Sequence, residues 1–492
     1  MRLSILLQDF YALPAEADRE ISALTLDSRA VKPDSLFIAI KGTHQDGRDY
    51  IPQAIANGAS AIVIDAENAA ISTTVPVIAI PQLQKNLAAI AARFYDYPAR
   101  KLRMIGITGT SGKTSCSHYL ACALESLQIR CGIIGTLGSG FYDALGTAGL
   151  TTPDAISLQA LLHDFVKQGA QAVAMEVSSH SIDQGRVNHI DYDIGIFTNL
   201  SQDHLDYHGD MPSYAAVKRR FFADMSVKHL IINTDDVYGA TWINELAASK
   251  SILAYGTKKP AVDVPFIQAK QVVSDMHGIT AQVISPFGEA KICLPLIGEF
   301  NLGNGLAVLA ALCAYGIPFQ EAVTSLATLQ PVAGRMQTLG GGKHPLIVVD
   351  YAHKPDALEK VLQALRSHTR GKLWCVFGCG GERDRGKRPL MAKIAERLAD
   401  HVIVTNDNPR HEKPEEIAAE IMQGFVCPEK ITVELDRSKA ILNSIQCASQ
   451  GDCILIAGKG AERYQQVGDE KIPFDDVEKA KKYLGENKCY CG

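Results

Sequence analysis

"MIGITGTSGKTS", residues 104–115, decides the fold. The apolar run Met104 to Thr108 reads as a buried strand, Gly109 and Gly112 bracket a tight turn, and Lys113-Thr114 opens a helix. Glycines in such a turn let backbone N–H groups converge on phosphate oxygens, and the helix N-terminus adds a partial positive charge. Lys113 can neutralise terminal phosphates, and the Thr114 hydroxyl can ligate Mg²⁺. The formal loop places a glycine five positions before Gly112, where this chain has Ile107. A plain strand–turn–helix corner is the alternative, but a corner has no need of Lys-Thr directly after its second glycine. Gly109, Thr110, Ser111, Gly112, Lys113, Thr114 and Ser115 are therefore read as a nucleotide site, and the displaced glycine as the mark of a loop subtype.

Working outward, residues 1–100 combine strand-like runs such as "DSLFIAIKG" (34–42) and "ASAIVIDA" (59–66) with one helix-like stretch, "QKNLAAIAARFYD". Beyond the glycine loop, an amphipathic helix is expected from Lys113 to Leu127. The buried-strand runs "CGIIG", "AVAMEVSS", "IGIFTNL" and "HLIINTDD" then alternate with helical segments. That alternation indicates an α/β fold whose mainly parallel sheet is covered on both faces. After "LQPVAGRM" it restarts with "PLIVVDYAH", "KLWCVFGCGG", "HVIVTND" and "DCILIAGKG", a second, Rossmann-like unit. Three domains are expected: 1–100, 101–335 and 336–492.

A chain of 492 residues exceeds one ordinary core. Its 47% hydrophobic and 21% charged residues suit a soluble enzyme. A net charge of −5 supplies no basic field for nucleic acid. No apolar run approaches the ~18–20 residues of a membrane span. The N-terminal "MRLSILLQDFYALPAEADRE" meets acids at once and reads as mature protein rather than a signal peptide. The twelve cysteines are scattered, and free buried thiols are the expectation, with Cys489 and Cys491 an incidental tail pair.

Polar clusters recur where strands end, which is where α/β sheets place ligands. "MEVSSHSIDQGR" (175–186) carries Glu176, a hard oxygen ligand suited to Mg²⁺. "TNLSQDHLDYHG" (198–209) concentrates His and Asp groups; Mg-linked phosphate chemistry, a polar loop and a zinc site are its three readings. Lys218 in "YAAVKRRFF" is, by residue type alone, a solvated helix residue. In the last domain, "GCGGERDRGKRP" (378–389) and "TNDNPRHEKPEE" (405–416) set arginines at strand ends, with a helix expected near Pro414. Guanidinium forks match carboxylates and phosphates. Surface salt bridging is the alternative, but two such loops on one sheet favour a shared anion pocket.

"GTSGKTS", "TTPD" (151–154), "EVSSH" (176–180), "TNLSQDHLDYHG", "GEFNLGNGLA" (298–307), "GR" (334–335) and "DYAHKPDALE" (350–359) occur in that order. As a set spanning essentially the whole chain they resemble the Mur ligases of peptidoglycan synthesis. The closest likeness is to the member that adds the third residue of the stem peptide, in which "DNPR" (407–410) goes with meso-2,6-diaminopimelate. Diaminopimelate has a second carboxylate for a guanidinium to grip; lysine has none.

The resemblance implies an ATP-dependent amide ligase that uses Mg²⁺ and works through an acyl phosphate, in the cytoplasm, as a monomer with no nucleic-acid or membrane partner. It implies metal ligation by Thr114, Glu176, His204 and Lys218, the last as a carbamate, and catalytic roles for Lys113, Lys218, Glu176, His204 and Arg335. Asn304, Arg335 and Asp350 would contact nucleotide. Leu26, Ser28, His44, Gln45 and Asp46 would meet the uridine part of the UDP-N-acetylmuramoyl dipeptide, and Thr151, Thr152, Ser178, Gln184 and Arg186 the rest of it. Arg383, Asp407, Asn408, Pro409, Arg410, Gly458 and Glu462 would take the amino acid. Two departures stand out: Ala461 where the family commonly has His, and Lys354, to which the sequence assigns no role. The rivals are a lysine-adding ligase, a folylpolyglutamate-type ligase, a nucleotide-gated binding module and a simple P-loop kinase.

Overall fold

The computed structural model describes residues 1–42, 45–66, 73–146, 149–275 and 278–486. His44, Cys489 and Cys491 lie outside the described residues. The chain divides into two compact units: Met1–Thr108 with Gln128–Ile196 and Val217–Leu230, and Gly109–Leu127 with Phe197–Ala216 and Ile231–Gly492.

The first unit opens with a parallel sheet of β1 (Ala23–Thr25), β2 (Ser35–Ala39), β3 (Ala59–Asp65) and β4 (Val77–Ile80), in that spatial order. Successive residues point to opposite faces, so Leu36, Ile38, Ala61, Val63, Ile78 and Ile80 enter one core. Phe37, Ala39, Ile62 and Ile64 enter the other. Sequential parallel strands need crossovers, and the helix Ile51–Ala56 lies between β2 and β3; the helix Leu83–Phe94, which follows β4, buries Leu83, Leu87 and Ile90 on the first face.

The same unit carries β5 (Arg103–Thr108), β6 (Cys131–Gly135), β7 (Gly138–Phe141), β8 (Ala144–Leu145), β9 (Ala172–Glu176), β10 (Tyr192–Phe197) and the start of β11 (Val227–Asn233). Their order is β11-β10-β5-β9-β6-β7-β8, and β5, β9 and β6 run parallel. Apolar burial on both faces explains why these strands read as continuous hydrophobic runs. Helix Ala155–Lys167 between β8 and β9 is capped by Asp154, whose Oδ1 accepts the Ile156 and Ser157 N–H groups at 2.9 and 3.0 Å.

In the second unit β12 (Ser251–Gly256) pairs in parallel with β13 (Phe266–Asp275), and an antiparallel meander continues through β14 (Gly278–Ser285) and β15 (Gly288–Leu294). The helix Lys113–Ser126 belongs here and departs from the amphipathic expectation: every residue from Thr114 to Leu124 is buried. A helix enclosed on all sides shows no polar stripe.

The C-terminal sheet comprises β16 (Gln337–Gly340), β17 (Leu346–Asp350), β18 (Leu373–Phe377), β19 (His401–Val404), β20 (Thr432–Val433) and β21 (Cys453–Ala457), ordered β16-β17-β21-β18-β19-β20. All but the edge strand β16 are parallel. Val348, Cys375, Phe377, Val402, Val404 and Leu455 face one core. Ile347, Val349, Val376, Ile403, Ile454 and Ile456 face the other. Both faces being covered, the carboxyl ends of the strands are left to carry polar loops. A hairpin of β22 (Tyr464–Val467) and β23 (Glu470–Pro473) follows β21.

The ten described cysteines form no disulfide, but burial is not general among them: Cys293 and Cys447 are exposed. Among the described residues, no helix is long and apolar enough to cross a membrane.

Candidate functional site

Ile107 is a strand residue, paired with Glu176 across β5 and β9 and fully buried. The glycine one place earlier serves packing: a Cβ on Gly106 would stand 2.6 Å from the Phe221 ring and 2.8 Å from that of Tyr192. The turn itself begins later, at Gly109, with φ +146°, and closes at Gly112, with φ +87°. A Cβ on Gly109 would come 2.0 Å from Thr198 Oγ1, so no side chain fits. The short bracket is a complete turn without a glycine at 107.

Strand-end residues Thr198 to Ser201 hold this loop. Thr110 N–H donates to Asn199 O at 2.8 Å, and Ser111 N–H to Asn199 Oδ1 at 3.0 Å. Ser111 O accepts from Thr198 Oγ1 at 2.7 Å and from Asn199 Nδ2 at 3.0 Å. Lys113 Nζ reaches back to Gly109 O (2.9 Å) and Thr110 O (3.1 Å), which fixes the ammonium at the loop. Thr198 and Asn199 thus support the loop, a role their sequence motif did not reveal.

On the nucleotide's expected far side, Arg335 Nη2 donates to Thr114 Oγ1 at 3.3 Å, and its guanidinium stacks 4.3 Å over Tyr351. Asn304 Oδ1 lies 2.6 Å from where a Gly112 Cβ would be. Asp350 accepts the N–H groups of Met336 and Ala352 at 2.8 Å each, bracing the turn that carries Arg335. Burial raises the Asp350 carboxyl above its ordinary value against the pull of Arg335 and those N–H donors.

His204, in a left-handed conformation at φ +53°, places Nε2 2.9 Å from Asp203 Oδ2. Asp203 is also ion-paired with Lys354, the residue the sequence left without a role. Burial pushes the Asp203 carboxyl up, but Lys354 and His204 together hold it far below its usual range. Among the described residues no three His, Cys, Asp or Glu side chains gather as metal ligands.

In the first unit, Glu176 is 1% exposed at the end of β9. Its Oε1 accepts Thr136 N–H at 2.8 Å and its Oε2 the Thr136 hydroxyl at 3.0 Å. A Cβ on Gly135 would stand 2.3 Å from Oε1, so glycine there lets the carboxylate approach β6. Gly135 and Thr136 carry no sequence signal beyond ending an apolar strand. Thr136 Oγ1 is 3.0 Å from Thr151 Oγ1; Thr152 Oγ1 donates to Glu176 O at 2.7 Å and lies 3.3 Å from Ser178 Oγ. Arg186 donates to Thr152 O at 3.0 Å and bonds Gln184. The structure thus brings Thr151, Thr152, Ser178, Gln184 and Arg186 together around Glu176. Lys218 corrects the residue-type reading: it is 1% exposed, with Nζ 3.3 Å from Thr108 Oγ1.

The uridine group is more dispersed in function. Ser28 donates to Gln53 Oε1 at 2.6 Å, and Leu26 packs on the N-terminal core. Asp46 caps its own turn and pairs with Arg48, whose hydrogen bonds draw its carboxyl down to about 2. Gln45 is exposed.

Arg383, the 407–410 segment, Gly458 and Glu462 all follow the carboxyl ends of β18, β19 and β21. A Cβ on Gly380 would lie 3.0 Å from Arg410 Nη1 and 3.8 Å from Arg383 Cγ, so this glycine sits between the two arginines. Arg410 has φ +52°, donates Nη1 to Gly381 O at 2.6 Å and N–H to Gln466 O at 3.1 Å. Arg385 and Arg388 serve the alternative reading of that arginine-rich turn: both pair with Glu412 and Glu420. Arg388 is buried, and its hydrogen bonds bring Glu412 down to about 2. Asp407 Oδ1 accepts Asn408 N–H at 2.7 Å, and Pro409 O lies 1.9 Å from a Gly381 Cβ position. Ala461 N lies 2.0 Å from where a Gly334 Cβ would be, so the 458–462 segment abuts the turn that carries Arg335.

A glycine loop opening a buried helix, a buried carboxylate at a strand end and arginines at the strand ends of a Rossmann-like sheet are the features of a nucleotide-dependent ligase. The Mur ligase catalytic-domain family model matches residues 20–95, the Mur ligase middle-domain model 107–312, and the Mur ligase glutamate ligase domain model 334–460. The chain belongs to the Mur ligase family and has its three-domain α/β fold. It is 49% identical over 472 residues to the UDP-N-acetylmuramoyl-L-alanyl-D-glutamate--2,6-diaminopimelate ligase of Pseudomonas aeruginosa, covering 96% of each chain. A solved structure of a ligase of that same description aligns at TM-score 0.70 and 36% identity over 99% of this chain and all of the other. The MurF ligase of Thermotoga maritima, solved with ADP, aligns at TM-score 0.65 and 18% identity over 94% of this chain and 98% of its own; that likeness concerns the fold.

Proposed function

We infer that this chain joins meso-2,6-diaminopimelate to UDP-N-acetylmuramoyl-L-alanyl-D-glutamate at the expense of ATP, in peptidoglycan synthesis. The observation that carries the substrate choice is that Gly380 has Arg410 Nη1, the Arg383 side chain and the Asn408 backbone oxygen around it, with the Asn408 side chain bonded to Glu462. Two guanidinium groups suit the second carboxylate of diaminopimelate, and Glu462 suits an ammonium. Lysine would leave the guanidinium side without a partner, which disfavours the lysine-adding reading.

In this reading residues 1–100 take the uridine end of the sugar nucleotide, 101–335 take ATP, and 336–492 take the amino acid. The D-glutamyl carboxylate attacks the γ-phosphorus of ATP, ADP leaves, and an acyl phosphate forms. The amine of diaminopimelate then adds to the acyl carbon; the tetrahedral intermediate expels phosphate, and the ammonium proton is lost. Phosphoryl transfer depends mostly on positioning and charge neutralisation. Lys113 and Arg335 supply fixed cations beside the Thr114 hydroxyl. The donor chemistry fits Mg²⁺, which binds through few protein groups together with water and phosphate; Glu176 and carbamylated Lys218 of the first unit, and Thr114 and His204 of the second, are the residues proposed to hold magnesium ions. The ion, when bound, neutralises charge developing on the phosphate oxygens. Lys218 is proposed to act as a carbamate, formed when its neutral amine adds CO₂ and releases a proton. A cytoplasmic monomer is proposed, since ATP and the UDP-sugar are cytoplasmic substrates.

The test is ADP release in the presence of the UDP-sugar dipeptide and a panel of amino acids. Diaminopimelate should give at least a hundredfold higher kcat/KM than L-lysine. A preference for lysine would overturn the substrate assignment, and ATP consumption independent of either co-substrate would overturn the ligase reading.

A further inference from the structure

Lys459, in the loop after β21, is completely buried, yet it belongs to none of the groups assigned above. Its Nζ donates to Asn408 Oδ1 at 2.9 Å and to Glu462 Oε2 at 3.0 Å. The Tyr464 ring lies on a third side, 5.5 Å from Nζ to the centroid. A buried ammonium is tolerated when its donors are matched in this way.

An ammonium can only donate, so the Asn408 side chain must turn its oxygen toward Lys459. The Gln466 N–H, 2.9 Å from that same oxygen, imposes the same choice. Asn408 Nδ2 is thereby directed to Glu462 Oε2, at 2.8 Å. One oxygen of Glu462 now carries two donors, while Oε1 accepts from none of the described residues. The pocket consequently offers one open carboxylate oxygen and one remaining amide N–H, the pair that complements the ammonium and carboxylate of an amino-acid centre.

We propose that Lys459 is a positioning residue that sets the donor–acceptor polarity of the Asn408–Glu462 pair, and through it the preference for an amino acid bearing a second, distal ammonium. The inference rests on the diaminopimelate reading of this pocket. Without the ammonium, the Asn408 amide loses one of the two donors that fix its orientation, and Glu462 is no longer held with Oε1 outward.

The experiment compares meso-2,6-diaminopimelate with 2-aminopimelate, which keeps both carboxylates and the reacting amine but lacks the distal one. Wild type should favour diaminopimelate by at least tenfold in kcat/KM. In Lys459→Met the KM for diaminopimelate should rise at least tenfold, KM for ATP and the UDP-sugar dipeptide should stay within about twofold, and the preference over 2-aminopimelate should collapse toward unity. Lys459→Arg, which restores a cation, should recover part of that preference. A folded Lys459→Met that retains the wild-type ratio, or that loses both amino acids equally, would overturn the proposal. Should that variant fail to fold, Lys459→Gln, which keeps a neutral amide donor group without the charge, is read against the same ratio. Inactivity of wild type with diaminopimelate would instead overturn the functional reading.

Discussion

Arg335 and Thr114, 221 positions apart, meet with Nη2 3.3 Å from Oγ1. The contact sets a planar, permanently charged group at the first turn of the glycine-loop helix, with Tyr351 beneath it. Arg335→Lys keeps the charge but loses the fork and the stacking surface. Steady-state kinetics should show kcat/KM for ATP lowered at least ~10-fold, consistent with the loss of one well-placed charge-assisted contact. Unchanged kinetics would remove Arg335 from the nucleotide's far side.

Lys113→Ala and Lys218→Ala should each lower turnover at least ~100-fold, the scale expected when a preorganised charge at a transferring phosphoryl group is removed. Circular dichroism and thermal melting should show both variants folded. Near-normal turnover in either would sink the role assigned to that lysine.

Gly112→Ala addresses the loop's shape rather than its charge. The added Cβ would stand 2.6 Å from Asn304 Oδ1, on a backbone at φ +87° that favours glycine. Destabilisation of about 1–3 kcal/mol is expected from the strained backbone alone. The KM for ATP should rise as the loop's N–H groups are displaced. A melting temperature and KM equal to wild type would mean that the Gly112–Asn304 approach is dispensable.

His118, buried in the helix Lys113–Ser126, gives a pH signature. Burial, reinforced by Arg335, lowers its imidazole from 6.5 to about 4. Below pH 6.5 the unfolded chain takes up a proton that the folded chain refuses until about pH 4, so stability falls as pH drops through that window. A shift of this size corresponds to a loss on the order of 3 kcal/mol. His118→Gln removes this titration, so from pH 7 to pH 4 wild type should lose stability steadily relative to the variant, by an amount on the order of 3 kcal/mol. A difference independent of pH would show that His118 titrates alike in both states.

The glycine loop, the α/β class and the arginine-rich strand ends were legible from residue order alone, because backbone-driven features repeat in a fixed local grammar. A left-handed turn needs glycine, a doubly covered strand is apolar throughout, and a parallel sheet presents its polar loops at one edge. The same locality explains why Ile107 is no defect: it is a strand residue, and the turn starts only after Thr108.

What locality could not supply was partnership. Lys218 and Lys459 look like any surface lysine in a one-dimensional reading, and only the folded chain buries them. Lys354 had no role until the structure paired it with Asp203, 151 positions away. Thr136 became visible only as the donor of two hydrogen bonds to Glu176. Arg385 and Arg388 read like binding residues and turned out to neutralise Glu412 and Glu420. Composition and spacing record which groups a chain carries; which of them lose water, and against whom, is set by contacts between distant segments. Burial and pairing decide whether a charge acts on a ligand or is cancelled within the protein.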